Sequence, residues 1–157
     1  MKTTLYFFLP ILLFFTDNHD YSAIDSHATE INTNKEELTL EGTWELVNYH
    51  NYVDNEVAET YGHREGYRQV KMFTKSRIMW SRKVPIDSTE YFGYGSYKIV
   101  DGHLIESLEY GSEAVLKAID TMRIFSFELI LNENTYSQIE IGPEGDRIFS
   151  ENYKKIE

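Results

Sequence analysis

The chain has 157 residues, of which 41% are hydrophobic and 15% aromatic, enough for one domain with a real core. Its formal net charge of −11 argues against a nucleic-acid partner, because an acidic surface repels phosphates and the basic residues are scattered rather than clustered. It has no cysteine, which excludes disulfides, thiolate-bound zinc, thiol catalysis and lipid attachment to an N-terminal Cys.

After Lys2, the run Leu5 to Phe15 is almost wholly apolar. Its 11 residues are too few for a membrane-spanning helix, which takes about 20, and they match the apolar core of an export signal. Residues 1–23 are therefore expected to be an export signal, with Ala23 and Ala28 as the small residues at which cleavage could fall. Residues 24–40 read as a flexible polar leader. Nearby His19, His27, Asp17, Asp20 and Asp25 lack the fixed spacing of metal ligands. The folded domain is expected over 41–157, with no transmembrane span in it.

The first strand runs from about Thr43 to Val53. Gly42 turns the chain in, and Trp44 and Leu46 share one face because strand side chains alternate. Trp44 is large enough to plug one end of a small barrel. Asp54 to Gly66 reads as a long polar connection broken by Gly62 and Gly66. Further strands are expected at about Tyr67–Thr74, Arg77–Val84, Tyr91–Val100 and His103–Tyr110, with Asp101-Gly102 as a tight hairpin turn. Ser112 to Asp120 reads as a short helix with a Ser cap. Strands at about Met122–Leu131, Thr135–Ile141 and Asp146–Ile156 complete the chain. The result is an all-β fold, an eight-stranded antiparallel up-and-down barrel with the helix between strands five and six.

Alternation also gives candidate interior residues. Leu104, Glu106, Leu108 and Tyr110 share a face, as do Arg123, Phe125, Phe127, Leu129 and Leu131. An inward charge is costly unless paired or hydrated, so Glu106 and Arg123 are either a structural ion pair or a hydrated charge at the rim, or else a polar anchor in a ligand cavity. Gly93, Gly95, Tyr97 and Ile99 share a face on which the glycines either leave space or only bend the strand. Trp80 is taken as inward in its strand. The candidate ligand-binding set is thus Trp80, Tyr97, Glu106, Leu108, Arg123, Phe125 and Phe127, with Gly42 and Trp44 structural. Phosphate-loop, metalloprotease and nucleophile-elbow patterns are missing, and His50, His63 and His103 are isolated. Glu106 and Glu109 are three apart and face opposite ways, so they make no acid/base dyad. No catalytic residue, metal or cofactor is expected.

Gly42-Thr43-Trp44 resembles the Gly-x-Trp start of lipocalins, a family in which a basic residue late in the last strand packs over the Trp. Arg147, Lys154 and Lys155 are the residues on offer for that role. A group of lipocalin-like proteins of unknown function exported by Gram-negative bacteria is also similar. The ordered motifs are Lys71-Met72-Phe73-Thr74, Met79-Trp80, Gly93-Tyr94-Gly95-Ser96-Tyr97, Glu106 to Tyr110, and Tyr153 to Ile156. The resemblance implies a periplasmic or extracellular β-barrel. The expected function is non-catalytic binding of a small apolar or amphipathic molecule. The other reading is a protein-interaction or inhibitor module with a filled barrel, working through Asp54–Gly66 and Pro85–Glu90. The sequence specifies no protein partner.

Overall fold

The computed structural model describes residues 38–85 and 89–157. The apolar run at 5–15, the signal at 1–23, most of the leader and the His/Asp set between 17 and 27 lie outside the described residues.

Pairs of residues that tolerate positive φ close the tightest turns. Asp54 and Asn55 have φ of 53° and 64°, and Asp101 and Gly102 have 50° and 76°. The first pair joins β1 (Gly42–Val53) to β2 (Glu56–Gly62), and the second joins β5 (Tyr91–Val100) to β6 (His103–Gly111). The remaining strands are β3 (Arg68–Phe73), β4 (Arg77–Lys83), β7 (Ile124–Leu131), β8 (Thr135–Ile141) and β9 (Arg147–Lys155), with α1 (Glu113–Ile119) between β6 and β7.

Among the described residues all pairings are antiparallel, and the nine strands are ordered β2-β1-β3-β4-β5-β6-β7-β8-β9 with β9 returning to β1. The eight expected strands correspond to β1 and β3 through β9, which form a closed ring of hydrogen bonds. The strand count is corrected to nine by β2, in the segment read as a polar connection. One edge of β1 is shared: its first half, Gly42 to Glu45, pairs with β3, and its second half, Asn48 to Val53, pairs with β2. Every residue of β2 is exposed, which is why composition marked it as loop.

The helix stands where expected, but Ser112 does not cap it with its side chain. Its hydroxyl accepts a hydrogen bond from the Phe92 amide at 3.4 Å, while its carbonyl accepts from Leu116 N–H at 3.0 Å. Val115 and Ile119 are buried where α1 packs on β5 and β6. Among the described residues no helix is long and apolar enough to cross a membrane.

One end of the ring is sealed by a continuous apolar cluster. Leu40, Trp44, Leu104, Tyr136 and Tyr153 are each at most 1% exposed, so the folded unit takes in Leu40 from the end of the leader. Trp44 Nε1–H donates to the Leu40 carbonyl at 2.7 Å, satisfying the indole's one polar group. The Tyr136 ring meets Trp44 edge-on at 5.0 Å and stacks on Tyr153 at 4.6 Å. Lys155 is the basic residue over the Trp, its Nζ 5.3 Å from the indole. Gly42 has φ +130°, and a β-carbon there would stand 2.5 Å from the Glu157 carbonyl. The glycine therefore lets the C-terminal residues cross beside Thr43, whose N–H donates to Glu157 O at 2.8 Å.

Trp44→Ala should destabilise the fold by about 3–5 kcal/mol, the usual cost of truncating a buried large aromatic. Urea denaturation checks this, and an unchanged midpoint would refute the role of Trp44 as the plug.

Candidate functional site

Three registers decide what faces inward. Phe73, Lys71 and Gln69 alternate on one face of β3, and Lys71 is directly opposite Trp44 on β1 and Trp80 on β4. Glu106 is paired with Phe125 and Leu104 with Phe127 across β6 and β7. Tyr136, Gln138 and Glu140 on β8 face Tyr153, Glu151 and Phe149 on β9. These side chains meet inside the ring in three levels.

Above the sealed end lies a polar belt. Lys71 Nζ donates to Glu106 Oε1 at 2.8 Å and to Gln138 Oε1 at 2.6 Å. The Lys71 and Glu106 side chains are only 5% and 9% exposed, so this is a buried ion pair. The Gln138 amide donates to Glu151 Oε2 at 3.1 Å, and the Gln69 amide donates to the same oxygen at 3.0 Å. The Tyr153 hydroxyl also donates to it, at 2.6 Å. Arg82 Nε donates to Gln69 Oε1 at 2.8 Å, and its NH2 lies 3.6 Å from Glu151 Oε1. Burial works against the Arg82 charge, yet Glu151 and the surrounding tyrosines outweigh it and leave the guanidinium pKa raised. The two cations and two carboxylates of the belt therefore balance.

Beyond the belt the interior side chains change character. Leu108, Phe125, Phe127, Tyr49 and Phe149 are half-buried, whereas the cluster around Trp44 is fully buried; Trp80, level with Lys71, is half-buried too. The interior side chains toward the end where β1 finishes and β9 begins are thus less buried than those around Trp44. Tyr49 turns inward there because the β1–β9 register skips Val47, which reverses the alternation set by Trp44 and Leu46. Its ring stacks on Phe149 at 5.5 Å and on Tyr61 of β2 at 5.3 Å, and its hydroxyl donates to Tyr67 at 3.1 Å. Burial pushes its phenol pKa well up, so it stays a neutral donor. Glu140, half-buried at this end, has its carboxyl pushed up to about 7 by desolvation.

The expected ligand-binding residues divide in this frame. Glu106, Phe125 and Phe127 do share the interior with Trp80, and Lys71 Nζ lies 6.0 Å from the Phe127 ring. Glu106, however, is paired with Lys71 rather than with Arg123. Arg123 precedes β7, and its NH1 donates to the carbonyls of Asp120 and Met122 at 2.6 and 2.8 Å. Leu108 stays inward, but the β5–β6 register skips Glu109, so Tyr110 turns outward against Tyr94 at 5.1 Å. Tyr97 lies toward the sealed end, its ring against Phe73 at 5.0 Å and its hydroxyl donating to Thr74 O at 2.8 Å. Of the glycines, Gly93 makes room for the Trp80 ring, which a β-carbon would meet at 2.6 Å. A β-carbon at Gly95 would meet the Ser107 carbonyl at 2.0 Å, so the missing side chain there admits the neighbouring backbone.

Sequence reasoning missed Gln69, Lys71, Gln138, Glu151 and Glu140. The signal was available: each stands two residues from an inward aromatic or from another of the set. Among the described residues, no group of three or more His, Cys, Asp or Glu side chains is arranged to hold a metal.

No protein-family model matches the chain, and no curated protein matches it. A solved structure of an uncharacterized protein from Bacteroides eggerthii is similar at 16% identity. It covers 73% of this chain and 98% of that one, with a TM-score of 0.47.

Two outcomes are expected from this geometry. Lys71→Met strands the Glu106 carboxylate and should cost about 3–5 kcal/mol, whereas Lys71→Met/Glu106→Leu should recover most of that loss. A double-mutant cycle by urea denaturation reads the coupling, and a stable single variant would contradict a buried pair. Glu140 gives a pH signature. With its pKa raised on folding, it contributes stability that is present below the ordinary carboxylate range and lost as pH rises through about 7. Glu140→Gln should therefore be more stable than the parent at pH 8, by on the order of 1 kcal/mol after allowing for solvent screening. The difference should vanish near pH 4, as thermal unfolding at the two pH values will test.

Proposed function

We propose that the protein is a lipocalin-like barrel that holds a small apolar or amphipathic molecule in its open end, without catalysis. The observation that carries this reading is the contrast between the two ends of the interior. The cluster of Leu40, Trp44, Leu104, Tyr136 and Tyr153 at the sealed end is at most 1% exposed, while Leu108, Phe125 and Phe127 toward the other end are only half-buried. An apolar wall above a few polar groups is the usual composition of a small-molecule pocket. The Lys155–Trp44 contact, next to Gly42 at the start of the first strand, supports the lipocalin resemblance. Glu106 in this reading belongs to the floor, because Lys71 already occupies it.

A second reading, a protein-interaction module, is favoured by β2, which stands outside the ring with all its residues exposed.

The first reading predicts saturable binding of a neutral environment-sensitive dye such as Nile red, with energy transfer from Trp80. Trp80→Phe should reduce that transfer, and Leu108→Trp, which narrows the opening, should weaken binding. Absence of binding to the parent protein by the dye and a broad apolar panel would favour the interaction module.

A further inference from the structure

The open end carries a charge that the rest of the interior does not answer. Within the belt, Lys71 is matched by Glu106 and Arg82 by Glu151. Glu140 is the next inward residue of β8 after Gln138, and among the described residues no cation is set against it. Its neighbours lie in one row across four strands. Glu140 is opposite Phe149 on β9, Phe149 is opposite Asn51 on β1, and Asn51 is opposite Glu59 on β2. Asn51 Nδ2 donates to Glu59 Oε2 at 3.2 Å, which places that carboxylate beside the row. One step further into the interior, Tyr49 stacks between Phe149 and Tyr61. The row therefore presents the Phe149 ring, backed by Tyr49, between two carboxylates, one of them half-buried. Arg123, before β7, has its NH1 committed to backbone carbonyls.

We propose that this row selects amphipathic organic cations, an amine or quaternary ammonium on an apolar body, over neutral and anionic molecules of the same shape. Aromatic faces attract such cations through the ring quadrupole, and a carboxylate removed from water gains most from a positive partner. Phe149 supplies the face, on the side away from Tyr49, Glu140 the charge, and Phe125 and Phe127 on β7 receive the apolar body. The inference rests on the reading of the open end as a ligand site and names the ligand class for it.

The test, at pH 8 so that Glu140 is ionised, displaces Nile red from the full chain with decyltrimethylammonium, 1-decanol and decanoate, each below its aggregation concentration. The cation should compete about tenfold better than the alcohol, in line with a partly desolvated cation–aromatic and ion-pair contact, and the carboxylate worse than both. Glu140→Gln should bring the cation toward the alcohol while leaving the alcohol unchanged, and Phe149→Leu should reduce the same preference. Equal competition by all three probes, or a preference untouched by Glu140→Gln, overturns the cation selectivity and leaves the ligand site standing. If neither dye nor any probe binds, the ligand site itself falls and the selectivity with it. Far-ultraviolet circular dichroism of both variants separates lost selectivity from lost fold.

Discussion

The interior of the ring depends on where the Lys71 ammonium goes. A buried charge must be met, and here Glu106 from β6 and Gln138 from β8 meet it. Gln138 then holds Glu151 of β9, which also receives Gln69 from β3. Four strands are thus tied by side chains as well as by their ladders. Because alternation has a period of two, sliding any of them by one residue would carry its polar group to the outer face and leave its partner stranded. A buried pair adds little net stability, so the belt acts mainly on register.

The belt also divides the interior into two unlike ends. Below it, Trp44, Tyr136 and Tyr153 pack ring against ring with Leu40 beneath and Lys155 over the indole. Above it, the rings of Tyr49 and Phe149 are only half-buried, and Glu140 brings a carboxyl with no belt partner. Two register shifts create this asymmetry. The skipped Val47 turns Tyr49 in, and the skipped Glu109 turns Tyr110 out.

Much of the fold was legible. The eight ring strands, the hairpin at Asp101-Gly102 and the short helix follow from alternation and turn chemistry, and their bounds agree to within two residues. β2 was not legible from composition because it buries no side chain. Asp54-Asn55, both residues that accept positive φ, was the signal for its hairpin. Of the candidate site, Glu106, Phe125 and Phe127 were correctly placed together by parity. The pairing of Glu106 with Arg123 failed because parity specifies a face and not how far along the axis a side chain reaches.

The sequence by itself determined the class of structure: antiparallel strands, a Trp-plugged start, and a carboxylate turned inward on strand five. Those are local properties, set by a residue and its neighbours two positions away. Only the tertiary structure decided which charges meet, which end is sealed and which residues the register shifts turn over. Each of these depends on contacts between residues far apart in the chain, as with Lys71 and Gln138, whose 2.6 Å hydrogen bond spans 67 positions. No local pattern fixes such a distance, because it is set only when the ring closes and every strand has taken its register.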